Sequence, residues 1–210
     1  MVDIHDAPPW REPVQARSRA RVAAILEAAR TLIVEKNTTE VKITEVAQRA
    51  SIPVGSLYQF FPSRSALVYR LCELEMMPID AALADGLSRV GTLDDLAAGV
   101  EKQMRNGLAT VRARPCLIVL LNCAGTDPAI RAANFRNTNA NAERLAKRLK
   151  TLVRHPSRAP AVEALALLIC HLWSDVIRLC LMLEDERRSN EIVTQYAGML
   201  SRHLAGLDRR

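Results

Sequence analysis

The chain has 210 residues, 49% apolar and 25% charged, a balance that supports a sizeable core in one domain or two small ones and excludes a disordered chain. A net charge of +6 and a pI near 9.4 permit an acidic partner such as nucleic acid, but residues 1–78 hold ten Lys/Arg against nine Asp/Glu and residues 79–210 nineteen against fourteen. Five scattered cysteines without a CxxC or metal-ligand spacing read as reduced thiols, so neither a metal nor another cofactor is expected.

The opening segment MVDIHDAPPW lacks a basic stretch followed by an apolar run, so it does not read as a secretory signal. The uncharged run Ala164–Ser174 is too short to span a bilayer. A soluble, cytoplasmic protein is expected. Residues 1–16 carry Pro8, Pro9 and Pro13 and read as a flexible arm. Local positive charge follows: Arg11, Arg17, Arg19 and Arg21 are opposed only by Glu12.

From about Ser18, Val22, Ile25, Leu26, Ala29, Leu32 and Ile33 recur at helical spacing, and Asn37 can close the helix in left-handed geometry. A short amphipathic segment follows with Ile43, Val46, Ala47 and Ala50, broken at Ser51-Ile52-Pro53. A second short segment carries Gly55-Ser56-Leu57-Tyr58 and ends on Phe60-Phe61; Ile52, Leu57, Phe60 and Phe61 read as core. Two brief helices at a sharp turn bury little alone, so they pack on neighbours and leave the second projecting. That is the build of a helix-turn-helix, whose second helix enters the DNA major groove. Ser63 then caps a fourth helix through Ala66, Leu67, Leu71 and Leu74, ending near Pro78.

Beyond Pro78 the breaks are clear. Thr92 and Asp95 stand at capping-box spacing, and Pro115 interrupts the pattern. Gly125-Thr126-Asp127-Pro128 combines a helix-ending Gly, an Asp cap and a Pro at the first helical position, and His155-Pro156-Ser157 breaks the chain again. No segment shows a sustained period of two. The expectation is an all-α fold of about nine helices. Its parts are the arm (1–16), a helix-turn-helix domain (17–78) and a second helical domain (79–210). Ala161–Leu183 is apolar on nearly every face, which requires burial all round. Ile192, Val193, Tyr196, Met199, Leu200, His203 and Leu204 give the last helix an apolar stripe, and two such helices from each of two chains would make a four-helix interface.

The N-terminal residues resemble the DNA-binding domain of the TetR (tetracycline repressor) family. The first-helix core is Ile25-Leu26-Glu27-Ala28-Ala29 with Leu32, and the second helix carries Val46-Ala47-Gln48-Arg49-Ala50-Ser51. The recognition helix is Gly55-Ser56-Leu57-Tyr58-Gln59-Phe60-Phe61, and the fourth opens with Ser63-Arg64-Ser65-Ala66-Leu67. Order and spacing agree together over about residues 18–78. Three positions depart from the family pattern: Lys42 replaces a capping Thr, Ser51 the turn Gly, and Pro53 the Ser that caps the recognition helix.

The resemblance implies a homodimeric repressor that binds a palindromic operator and is released by a small-molecule effector. It implies DNA contacts from Arg17, Arg19 and Arg21 in the arm, Lys42 and Thr44 on the second helix, and Arg64 clamping a phosphate. On the recognition helix it implies Pro53, Val54, Gly55, Ser56, Tyr58 and Gln59. Tyr58 can lay its ring on the backbone and donate to a phosphate, and Gln59 can read an adenine. The implied effector pocket draws on Met104, Leu108, Asn122, Cys123, Phe135, His171, Trp173 and Arg178, with Leu120 and Leu172 as further apolar lining. A regulator of this fold answering to a partner protein or to no ligand is the alternative. A small all-α enzyme is the rival from another class, and the chain shows no HExxH or paired-carboxylate motif for it.

Overall fold

The apolar rhythm that begins at Val22 becomes helix α1 (Ala16–Lys36) in a computed structural model, which describes residues 10–153, 159–183 and 185–207. Residues 1–9 of the expected arm and the break at His155-Pro156-Ser157 lie outside the described residues. Asn37 ends α1 in left-handed geometry at φ 49°, and the amides of Asn37 and Thr38 reach back to the Val34 and Ile33 carbonyls. That double closure satisfies carbonyls the helix would otherwise leave orphaned.

Then come α2 (Ile43–Arg49), α3 (Val54–Phe60), α4 (Arg64–Ser88), α5 (Leu93–Arg112), α6 (Pro115–Cys123), α7 (Pro128–Leu152), α8 (Ala159–Met182) and α9 (Glu186–Ala205). Among the described residues there are nine helices and no strand, the all-α class expected. The Thr92/Asp95 capping box forms in both directions, at 3.1 and 2.9 Å. Asp127 caps α7 by accepting from the Ala129 amide at 2.9 Å, with Pro128 at the first helical position. Gly125 has no positive φ, so α6 closes on Ala124 instead.

Helix α4 does not end near Pro78 but runs through it to Ser88. An interior proline removes one backbone hydrogen bond, at a cost of about 3 kcal/mol. Residues on both sides, Leu71, Cys72 and Met76 before it and Leu87 after it, are buried and hold the helix in place.

Two units result, and each is discontinuous in sequence. The first takes the chain through Met76 and adds Arg114–Arg136; the second takes Met77–Ala113 and Asn137 onward. In the first unit α6 packs on α1, which draws α6 and the start of α7 to the N-terminal helices although they follow them by some eighty residues. Ile25, Ala29, Ile33, Val46, Leu57, Phe61, Leu67, Leu71, Leu117 and Leu120 form its core. Ile52 and Phe60, expected in that core, are only half-buried, because the short α3 turns a single face inward at Leu57.

In the second unit α9 packs on α5. The α9 residues Val193, Tyr196, Leu200 and Leu204 are buried there, as are Ala97, Val100, Met104 and Leu108 on α5. Ser201 donates to the Ala97 carbonyl at 2.6 Å, and Arg105 to Asn190 and Thr194 at 2.8 Å. Four of the seven α9 stripe residues are therefore covered within the chain, with Ile192 half-buried and Met199 and His203 exposed. Helix α8 behaves differently. It is long and apolar enough to cross a membrane, yet only 22% of that stretch is buried within the chain. Val162, Ala166, Ile169, Ile177 and Cys180 face the core, while Leu168, Leu172, Leu179 and Met182 form an open stripe at helical spacing on the other side. Burial all round is thus not met inside one chain.

Candidate nucleic-acid interface

The break between α2 and α3 is built by the backbone. Ser51 sits at φ 55°, its amide donating to the Gln48 carbonyl at 3.1 Å, and the Ile52 amide to Ala47 at 3.0 Å. This pair is the same double closure that ends α1, with a serine where glycine would be unstrained. Pro53 stands at the α3 N-cap position with φ −61° and offers no side-chain cap. Lys42 holds the equivalent place on α2. Its side chain has no acceptor, so only half of a capping box forms: Glu45 accepts the Lys42 amide at 3.3 Å. Lys36 donates to Glu45 at 2.6 Å, and this bond, with the Lys42 amide, holds the Glu45 carboxyl below its usual pKa.

Helix α3 buries Leu57 completely and turns Pro53, Gly55, Tyr58 and Gln59 outward, with Val54 and Ser56 partly covered. Tyr58 is 48% exposed. A Cβ placed on Gly55 would meet nothing within 4 Å, and its φ is not positive. Neither packing nor backbone geometry in this chain therefore calls for glycine at that place. Lys42 and Thr44 on α2 are exposed, as are Arg17 and Arg19 at the start of α1, with Arg21 half-buried. Arg19 already spends one donor on the Val14 carbonyl, at 2.6 Å. All twelve expected DNA contacts belong to the first unit.

Arg64 is engaged within the protein. Its guanidinium donates to the Thr39 carbonyl at 2.8 Å and to Asp127 at 3.1 Å, and pairs with Glu40 at 3.1 Å. Asp127 is nearly closed off and also accepts the hydroxyl of buried Thr39 at 3.0 Å. This cluster fastens the segment before α2 to the start of α4 and to the α6–α7 corner. A second buried carboxylate, Glu75 on α4, accepts Arg30 of α1 at 2.7 Å and Arg114 before α6 at 3.1 Å. Neither cluster is visible from local spacing.

Trp10 is also a residue that periodicity does not single out. Its ring stacks on Phe61 with centroids 6.0 Å apart and planes at 10°, and the Arg70 guanidinium lies 4.4 Å from its centre. The next amide, Arg11, donates to the Phe60 carbonyl at 3.0 Å. The compositional signal was a lone tryptophan in a polar, proline-containing stretch, a large ring that requires cover.

The residues expected at the effector pocket divide between the units. Asn122, Cys123 and Phe135 belong to the first, and Met104, Leu108, His171, Trp173 and Arg178 to the second, so neither unit gathers all eight. Met104 and Leu108 are buried, and a Cβ on neighbouring Gly107 would meet the Trp173 ring at 3.1 Å, so Gly107 makes room for that ring. Arg178 pairs with Asp175 on its own helix. Leu172 lies on the open α8 stripe rather than lining a pocket. On α6, Cys116 is buried and its thiol is pushed up to about 12 by burial and then by the Glu75 charge, which leaves no reactive thiolate near neutral pH. Among the described residues no group of three His, Cys, Asp or Glu side chains could hold a metal ion.

Two family profiles match the chain. Residues 25–71 match the profile described as bacterial regulatory proteins, tetR family, and residues 94–207 match the tetracyclin repressor-like C-terminal domain. The chain belongs to the TetR family. Solved structures agree in fold. A TetR transcriptional regulator from Rhodococcus sp. RHA1 is 23% identical, with 88% of this chain and 97% of that one covered at a TM-score of 0.60. A TetR-family regulator from Pectobacterium atrosepticum is 20% identical, with 94% and 99% covered at a TM-score of 0.68. AlkX from Dietzia sp., a TetR-family repressor implicated in biodegradation of n-alkanes, is 18% identical, with 89% and 96% covered at 0.57. No curated protein sequence matches. TetR-family proteins are DNA-binding transcription factors, so this member is a transcriptional regulator and not an enzyme. The family binds operator DNA and small-molecule effectors and is usually dimeric.

Proposed function

We propose that this TetR-family chain is a cytoplasmic homodimeric repressor that binds a palindromic operator through α3 and leaves it when a small molecule binds. The observation that carries the DNA-contact assignment is Gly55. It is exposed, unconstrained by its own fold and flanked on the same short helix by exposed Tyr58 and Gln59. A bare backbone there suits close approach to the DNA. Tyr58 then meets the sugar-phosphate backbone, Gln59 a base edge, and Pro53, Val54 and Ser56 offer small contacts. Lys42, Thr44, Arg17 and Arg21 add phosphate contacts from the flanks. Arg64 acts chiefly by holding the helix-turn-helix together, since its donors are engaged by Thr39, Asp127 and Glu40.

The open α8 stripe, together with exposed Met199 on α9, supports the dimer: apolar side chains left uncovered in one chain are covered by a second copy. Two recognition helices then meet successive major grooves about 34–36 Å apart. The effector is read in the second unit by Met104, Leu108 and Trp173, with His171 and Arg178 as polar partners. To turn a 1:99 population into 99:1, it must favour the released state by about 5.5 kcal/mol.

Gly55→Ala separates the two roles a helical glycine can have. Alanine is the better helix former by about 1 kcal/mol, so the variant should melt at or above the wild-type temperature. Its affinity for a duplex selected by the wild-type protein from random-sequence DNA should nevertheless fall, as should that of Tyr58→Ala. Undiminished affinity in both variants would remove α3 from the interface.

A further inference from the structure

The segment ahead of α1 is held at two points. Trp10 lies between the Phe61 ring and the Arg70 guanidinium, a stacked and cation–π arrangement with 6.0 and 4.4 Å separations. Arg70 is itself steadied by Glu73 at 3.1 Å, while its Nε is buried without a hydrogen-bond partner among the described residues. The Trp10 ring is therefore a principal neighbour of that cation. Four residues on, the Val14 carbonyl accepts from Arg19 at 2.6 Å.

The backbone between these points does something further. Helix α3 has seven residues, too few to stand alone, and its last carbonyls lack intrahelical donors. The Arg11 amide fills one of them, the Phe60 carbonyl, at 3.0 Å. The anchored segment thus closes the C-terminal end of the recognition helix. The Arg11 side chain, exposed and without a partner among the described residues, is carried to that same end.

We propose that Trp10 is a positioning residue for DNA binding: wedged between Phe61 and Arg70, it sets Arg11 beside the end of α3, where the guanidinium takes a DNA phosphate. This rests on the DNA contact assigned to α3. Losing one phosphate contact lowers the slope of log affinity against log salt by about 0.9 per chain, or about 1.8 for a dimer.

The test measures anisotropy of a fluorescent duplex, selected from random-sequence DNA by the wild-type protein, over a range of salt. The variants are Trp10→Ala, Trp10→Phe, Arg11→Ala and the double variant Trp10→Ala with Arg11→Ala. The expected result is an equal slope loss for Trp10→Ala and Arg11→Ala, no further loss in the double variant, and a restored slope in Trp10→Phe, which keeps a ring in the stack. Arg11→Ala leaves the anchor in place, so it must show the slope loss even if Trp10→Ala folds poorly. A wild-type slope in Arg11→Ala, or a Trp10→Ala that melts lower yet keeps the wild-type slope, would make Trp10 a packing residue only and overturn the proposal. A wild-type protein that enriches no duplex would overturn the α3 assignment itself.

Discussion

Asp127→Ala removes three interactions at once. It deletes the α7 cap on the Ala129 amide, worth about 1 kcal/mol. It strands the Thr39 hydroxyl, which is buried and now donates to Asp127, at about 1–2 kcal/mol. It also breaks the pair with Arg64, whose side chain is 28% exposed, so solvent limits that loss to roughly 1 kcal/mol. Together these give about 3–4 kcal/mol, or about 6–16 °C in Tm for a chain of this size. Asp127→Asn keeps an oxygen for the cap and should fall between the two. Adding Thr39→Val to Asp127→Ala removes the stranded hydroxyl and should return about 1 kcal/mol. Thermal melts and urea midpoints of the four proteins measure this. An Asp127→Ala variant melting within about 2 °C of wild type would refute the idea that the α6–α7 corner holds the helix-turn-helix.

Ser51→Gly should stabilise the protein by about 0.5–1 kcal/mol, because it relieves a left-handed serine at φ 55° while adding freedom to the unfolded chain; a lower Tm would contradict that balance. Burial raises the Cys170 thiol to about 11 and the Tyr196 phenol to about 12. The unfolded groups ionise at about 8.5 and about 10, so the unfolded state loses protons first, and stability present at neutral pH should drain away as pH climbs through 9 towards 12. The urea midpoint should accordingly be lower at pH 10.5 than at pH 7.5, and equal midpoints would refute this. Leu172→Glu, placed on the open α8 stripe, should give a helical monomer near 23.3 kDa in light scattering; an unchanged dimer would move the interface elsewhere.

Features governed by near neighbours were legible in the chain. The left-handed Asn37, the Thr92/Asp95 box and the Asp127-Pro128 start of α7 each depend on residues within a turn. So was the helix-turn-helix, whose break at Ser51 is closed by amides bonding back within five residues. Features governed by distant partners were not. Arg64 opens α4 where a phosphate clamp would sit, yet its carboxylate lies 63 positions downstream, on a helix corner that no local pattern connects to it. The stripe on α9 was visible, but not that α5 would cover it, since an amphipathic face does not say which surface it meets. Pro78 looked like an end because proline disfavours helix, and packing on both sides outweighed that local preference.

In the proposed complex α3 enters the major groove as one of a symmetric pair. Hydroxyl-radical footprinting on a selected duplex tests it most directly. Two protected half-sites related by a dyad are expected, centred about one helical turn apart. Both should be lost together when Tyr58→Ala replaces the wild-type chain. A single unsymmetrical protected patch, or a footprint that survives Tyr58→Ala and Gly55→Ala unchanged, would contradict it.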